Sequence, residues 1–314
     1  MCLKQGHTGR QSDIIETVRR AYKVIIKKDF AYKVKYTAHK LLHGSMRDHY
    51  SKLGSYLKHL EQEYPGSTFT LTTNPNVASS VPVFQRLFIC FDALKQGWIE
   101  GCRKLLCVDA CFLKTFLGGQ LISAIGRDGN DQMYPLAWGV VEGENNESYE
   151  WFFKELKKAT GEEDGHGWTI ISDEHQSIVS MVKKEFPRAE HRRCARHIFA
   201  NWHKSYKGEE MKMLFWNCAK AYSKADFDAA VNDMREVDPR AATAFLACNP
   251  TLFCRAFIDT RTTNNVIVNN MAETFNAYII NARSKHLIYM LEEIRTMMMQ
   301  RLVAKKKVME ESTT

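Results

Sequence analysis

The sequence predicts an α/β protein: a mixed sheet with a helical insertion, preceded by a small N-terminal helical region. Three observations carry this expectation. Short apolar runs bounded by glycine and turn residues follow one another between residues 103 and 142, as neighbouring strands do. Strand and helix signals then alternate up to residue 199. Residues 203–260 keep helical apolar spacing and are poor in strand signals.

Composition narrows the class. At 314 residues the chain has room for one large domain with appendages, or for two domains. Hydrophobic residues at 45% and charged residues at 25% are ordinary for a globular protein. No apolar run approaches a membrane span, and the opening "MCLKQGHTGRQSDIIE" lacks the apolar centre of a signal peptide. Neither a membrane nor a secretory route is expected. Nine cysteines, scattered and odd in number, read as mostly reduced thiols of a cytosolic or nuclear protein. A net charge of +8 favours a polyanionic partner without proving one.

The elements follow in order. "SDIIETVRRAYKVII" opens on a Ser/Asp cap with helical spacing, and "SMRDHYSKLGSYLKHLEQEY" repeats the pattern, so residues 11–64 read as helices. Between Val18 and Lys40 the basic residues Arg19, Arg20, Lys23, Lys27, Lys28, Lys33, Lys35 and Lys40 meet one acid, Asp29, with Tyr22, Phe30, Tyr32 and Tyr36 interleaved. This is either a solvated helix face or a small DNA-contacting unit. "YPGSTFTLTTNPN" breaks the helices and carries a strand, Thr68 to Thr72. A boundary is expected near residue 75, separating an N-terminal helical region (1–75) from a larger domain (76–314).

Within that domain come a strand holding Asp109, then strands near Gln120–Arg127 and Tyr134–Glu142. The helix "NESYEWFFKELKKAT", the strand "GWTIISDEH", the helix "QSIVSMVKKEFP" and the strand-to-helix "AEHRRCARHIFANW" follow. Three strands with short links predict an antiparallel meander, and the helix then allows a crossover to a strand parallel to the first. This is the element order of the ribonuclease H-like fold, with its core expected at about 103–199 and 262–290 around an insertion at about 203–260. The segment 262–303 closes the chain as one or two amphipathic helices, with Met297, Met298 and Met299 as packing residues.

One residue resists a purely structural reading. Asp109 sits in the apolar run "LLCVDACFL", where a carboxylate is costly unless paired or bound to a cation. In the expected order the first and fourth strands are parallel neighbours, so Asp109 and Asp173 approach at one sheet end although 64 residues apart (109 to 173). Glu273 in "NNMAETFNAYI" is the candidate third acid from beyond the insertion. Clustered carboxylates bind Mg²⁺ or Mn²⁺ through oxygen, and two such ions serve phosphodiester chemistry. Each acid taken singly also has a plainer reading: a salt-bridge partner, a helix cap, a solvated side chain.

The blocks "VDACFLKTFLGGQLISAIGRDGNDQMYPLAWGVVEGENNESYEWFF", "ISDEHQSIVSMVKKEFPRAEHRRCARHIFANW" and "NNMAETFNAYI" resemble the plant Mutator-like element (MULE, MuDR-type) transposases over roughly residues 80–290. The resemblance implies a catalytic domain of ribonuclease H-like fold with a helical insertion. Its two Asp and one Glu (the DDE motif) match Asp109, Asp173 and Glu273, both as catalytic acids and as holders of a two-metal Mg²⁺ or Mn²⁺ site. It also implies a Cys-x-x-His element, here Cys194 and His197. Zinc is not expected there, because His191, His203 and Cys218 form no tight second pair. Arg192, Arg193 and Arg196 join Arg19, Arg20, Lys27 and Lys28 as candidate phosphate contacts. Ala110 stands where family members commonly carry Gly, and "EHQS" is less basic than usual after the second Asp. "KKKVMEESTT" holds no SWIM-type zinc knuckle, and the N-terminal region is short for a full terminal-repeat recognition module, so a fragment, a decayed copy or a host-adopted derivative is expected.

Two functions follow from the resemblance. The first is a nuclear DNA transposase core that cleaves and joins strands, with terminal inverted repeats and target DNA as partners and a homo-oligomer as the active form. The alternative is a transposase-derived, non-catalytic DNA-binding or transcription-regulatory protein.

Overall fold

The computed structural model describes residues 11–43, 46–74, 82–115, 118–260 and 264–312. Its centre is a seven-stranded mixed sheet in the order β1-β2-β5-β4-β3-β6-β7. The strands are β1 (Thr68–Thr73), β2 (Phe84–Cys90), β3 (Leu105–Phe112), β4 (Gln120–Arg127), β5 (Met133–Val141), β6 (Thr169–Ser172) and β7 (Glu190–Arg193). Twelve α-helices accompany them among the described residues.

The meander expected from short links is present: β3 pairs antiparallel with β4, and β4 with β5. The "GG" between the first two strands supplies positive φ at Gly118 (69°) and Gly119 (87°), a conformation that costs glycine little. From β5 the chain crosses through α5 (Asn146–Thr160) to β6, which pairs parallel with β3. It then passes through α6 (Gln176–Glu185) to β7, parallel to β6. All nine residues of β5 are buried, as befits an interior strand with both faces covered.

Each face of the sheet has its own cover. On one, a train of ring contacts runs from Phe88 through Phe152, Phe153, Phe186 and Trp168 to Trp98, tying α5 and α4 (Asp92–Gly101) to the strands. Gly139 makes room for it, since a Cβ there would lie 3.1 Å from the Phe152 ring. On the other face, α11 (Asn270–Tyr278) packs across β3, β4 and β5, with Phe275 against Trp138.

The N-terminal helices are α1 (Gln11–Tyr22), α2 (Lys28–His43) and α3 (Met46–Glu63). No residue of α1 is buried. In contrast, Leu53, Leu57 and Leu60 of α3 join the main core, and Tyr56 donates to Glu292 of α12 (Leu287–Ser312). The boundary expected near residue 75 falls between β1 and β2, which pair antiparallel in one sheet. Met298 is buried in the same core, and Met297 and Met299 pack against it.

The insertion is helical: α8 (Glu209–Lys220), α9 (Lys224–Val237) and α10 (Pro239–Ala247). With α7 (Ala195–Trp202) it forms a second core around Trp202, Phe215, Phe227, Phe245 and Phe253. Its helices start cleanly. Ser223 and Asp226 form a capping box, and Asp238 caps α10 ahead of Pro239. The eight described cysteines are all free, and no helix among the described residues is long and apolar enough to cross a membrane.

Candidate functional site

The β3–β6 register pairs Leu105 with Thr169, Leu106 with Ile170 and Cys107 with Ile171. Two residues beyond the last pair of that register lie Asp109, still inside β3, and Asp173, just past the end of β6. Asp109 also terminates a cross-strand row, Phe69–Ile89–Trp138–Ser123–Asp109, that is otherwise built for packing. Burial first, and the Asp173 carboxylate second, push the Asp109 carboxyl up to about 7. Parallel strands commonly present ligand sites at their carboxyl ends, where these two acids lie.

Because β3 outruns β6, its edge carbonyls beyond Cys107 need other donors. Two side chains from the C-terminal segment supply them. Asn269, fully buried, donates from Nδ2 to the Val108 carbonyl at 3.0 Å. Arg283 donates to the Phe112 carbonyl at 3.2 Å and to the Asn276 carbonyl at 3.0 Å. These bonds dock α11 beside β3 and place Asn276 Nδ2 2.9 Å from Asp109 Oδ2 as donor. Asp173 is fixed from its own loop, where the His175 backbone N–H donates to Oδ1 at 3.0 Å.

Glu273 occupies the first turn of α11. It does not bond to either Asp; Arg196 donates to its Oε2, and His197 Nε2 lies 3.9 Å from its Oε1. His197 is the link to the pair. The Cys194 sulfur beside the ring, together with Asp173 and Glu273, raises its pKa to about 9 against the opposing effect of burial. Asp109 and Asp173 thus interact electrostatically, and His197 feels the charges of both Asp173 and Glu273.

Cys194 caps the N-terminus of α7, with His197 one turn on. The candidate partners weighed for them lie elsewhere: His191 bonds Ser172 Oγ at 2.9 Å, His203 stacks on Phe199, and Cys218 is buried in the second core. The third donor is Glu273, whose oxygen lies with the Cys194 sulfur and a His197 nitrogen inside a 4.8 Å set.

The basic residues divide. Arg19, Arg20, Lys27 and Lys28 are exposed, with Arg20 also paired to Glu16. Arg193 pairs with Glu174 at 2.9 Å. Arg192 corrects an expectation. It is 2% exposed, and its guanidinium donates to Glu190 and to the carbonyls of Cys254 and Phe257. It pins the insertion to β7 and offers nothing to a phosphate. The side chain of Lys40 lies outside the described residues.

Sequence reasoning passed over Asn269, Asn276 and Arg283, because their roles depend on contacts across more than 160 residues. It also passed over Glu144. This carboxylate accepts from Tyr149 Oη at 2.6 Å, stands 4.0 Å from His175 Nδ1, and adds to the upward pressure on Asp109.

The fold is mixed α/β, with one carboxylate inside β3 and a second just past the end of its parallel neighbour β6. Residues 105–201 match the family model of the MULE transposase domain, a stretch running from β3 through α7 and containing both Asp109 and Asp173. That match ties the chain to transposase-related function. No curated protein matches the chain.

Proposed function

We propose that this chain is the catalytic core of a DNA transposase of ribonuclease H-like fold, performing metal-dependent strand cleavage and strand transfer. The observation that carries the reading is that Asp109 in β3 and Asp173 just after the parallel neighbour β6 interact electrostatically within the stretch that matches a transposase domain. Burial and the neighbouring Asp173 raise the Asp109 carboxyl, and a cation held by both acids would offset that repulsion.

The donors are oxygens, which suit Mg²⁺ or Mn²⁺. Asp109 and Asp173 would hold the metal, with Glu273 as third acid. When bound, a pair of such ions supplies an activated water or 3′-hydroxyl and stabilises the leaving oxygen. The chain's own residues set the stage. Asn276 orients Asp109, the His175 N–H orients Asp173, and Arg196 holds Glu273 at the start of α11. Arg19, Arg20, Lys27 and Lys28 would meet DNA phosphates; terminal inverted repeats and target DNA are the substrates, in the nucleus, with a homo-oligomer as the working form.

The test is nicking of terminal-repeat duplex in Mg²⁺ or Mn²⁺, with Asp109→Asn beside the wild type. Cleavage by the wild type alone, at equal DNA binding, supports the enzyme. DNA binding with no cleavage by either, on pre-nicked substrate as well, would leave a non-catalytic DNA-binding derivative.

A further inference from the structure

We infer that Cys194, His197 and Glu273 form a zinc site beside the all-oxygen position at Asp109 and Asp173, with Glu273 the one ligand the two positions would share. A thiol, an imidazole and a carboxylate from two helix N-termini converge within 4.8 Å, the latter two half-exposed.

Sulfur and imidazole nitrogen are soft-to-borderline donors, and Mg²⁺ does not choose them; zinc does. A three-ligand Cys, His, Glu set with one position left to water has the make-up of an open zinc centre. Tetrahedral zinc places such ligand atoms about 3.5 Å from one another, given metal–ligand bonds of roughly 2.0–2.3 Å. His197 Nε2 and Glu273 Oε1 are already 3.9 Å apart, and all three ligand atoms lie within 4.8 Å of one another.

Each ligand is prepared differently. Cys194 is fully buried at the N-cap of α7, and its sulfur accepts from the Asn269 backbone N–H at 3.2 Å. His197 Nδ1 is enclosed and makes no hydrogen bond among the described residues. Arg196 engages Glu273 Oε2 and leaves Oε1 towards the imidazole. His197 and Glu273 are 41% and 30% exposed at their side chains, so an ion can enter and keep a water.

The spacing hid this site. Cys194-x-x-His197 lacks a second close pair, and the third ligand arrives 76 residues after His197 (197 to 273), carried in by α11. An ion there would pin α7 to α11 and so fix where Glu273 stands. The inference does not rest on strand transfer; a chain inert towards DNA could still hold this zinc.

Cobalt is the probe. The full chain, stripped with chelator and titrated with Co²⁺ in excess Mg²⁺, is expected to take one equivalent and show a near-ultraviolet sulfur-to-cobalt charge-transfer absorption that Zn²⁺ abolishes. Cys194→Ser should lose that absorption, and His197→Gln and Glu273→Gln should each weaken retention at least tenfold. Asp109→Asn should leave it unchanged. Because Cys194 is buried, circular dichroism of Cys194→Ser accompanies the titration, and the half-exposed His197→Gln carries the argument if that variant unfolds. Absence of the absorption in the folded wild type would overturn the site. So would its persistence in His197→Gln and Glu273→Gln, which would assign it to another thiol. Failure of DNA cleavage with cobalt binding intact would count against the transposase reading alone.

Discussion

Asp109, inside β3, feels the charge of Asp173, which follows the end of β6, the strand paired parallel with β3. Whatever occupies the space between them must answer two carboxylates at once.

The first consequence is a pH dependence. The Asp109 carboxyl is raised from 3.8 to about 7 in the fold. The folded chain therefore keeps a proton that the unfolded chain gives up near pH 4. Stability is full below that pH and is lost as the pH rises through about 7. Asp109→Asn, in chelator, should stabilise the protein by about 2 kcal/mol at pH 8 and by little at pH 4.5. Urea unfolding at the two pH values measures it; equal effects at both would refute the shift.

Divalent cation should reverse that penalty. Mn²⁺ is expected to raise the wild-type Tm at pH 8 and to do so less at pH 5.5, where the proton competes for Asp109. Asp109→Asn and Asp173→Asn should each remove most of the shift. Thermal scans with and without the ion decide the matter.

Asn269 offers a structural test. Its amide satisfies the Val108 carbonyl on an open strand edge, deep in the core. Asn269→Ala leaves that carbonyl without its donor and should cost about 2–3 kcal/mol. A loss below 0.5 kcal/mol, on the scale of ordinary surface substitutions, would show that the bond does not dock α11.

Arg192 and the Lys27–Lys28 pair should behave oppositely. Arg192→Met, which breaks a buried charge network, should destabilise by roughly 3 kcal/mol and leave the salt dependence of DNA binding unchanged. Neutralising Lys27 and Lys28 should leave stability alone and flatten the slope of log affinity against log salt by nearly two. Salt titrations of DNA binding separate the two outcomes.

Much of this was legible from residues alone. Periodicity and glycine punctuation placed β3, β4 and β5 to within a residue or two, because local sequence governs strands joined by short links. β2 was harder. "VFQRLFICF" has the apolar run of a strand, but its antiparallel partners β1 and β5 lie on either side of it in sequence, and no local pattern announces them. Site residues divided on the same line. Asp109 stood out as a charge in an apolar strand, whereas Asn269, Asn276, Arg283 and Glu144 are unremarkable polar residues until the fold brings them to the acids. Arg192 misled because a basic residue in a basic run reads as surface, and only tertiary packing reveals the carbonyls around it.

The central claim, that Asp109 and Asp173 act as one unit on DNA, is tested most directly by strand transfer from pre-nicked terminal-repeat DNA in Mn²⁺. Wild type, Asp109→Asn, Asp173→Asn and the double variant are compared at matched DNA occupancy. Residues that serve one bound cation fail together, so each single variant should lose about as much rate as the double, a drop on the order of a thousandfold or more. Activity in either single variant near the wild-type rate, or losses that multiply in the double, would contradict it.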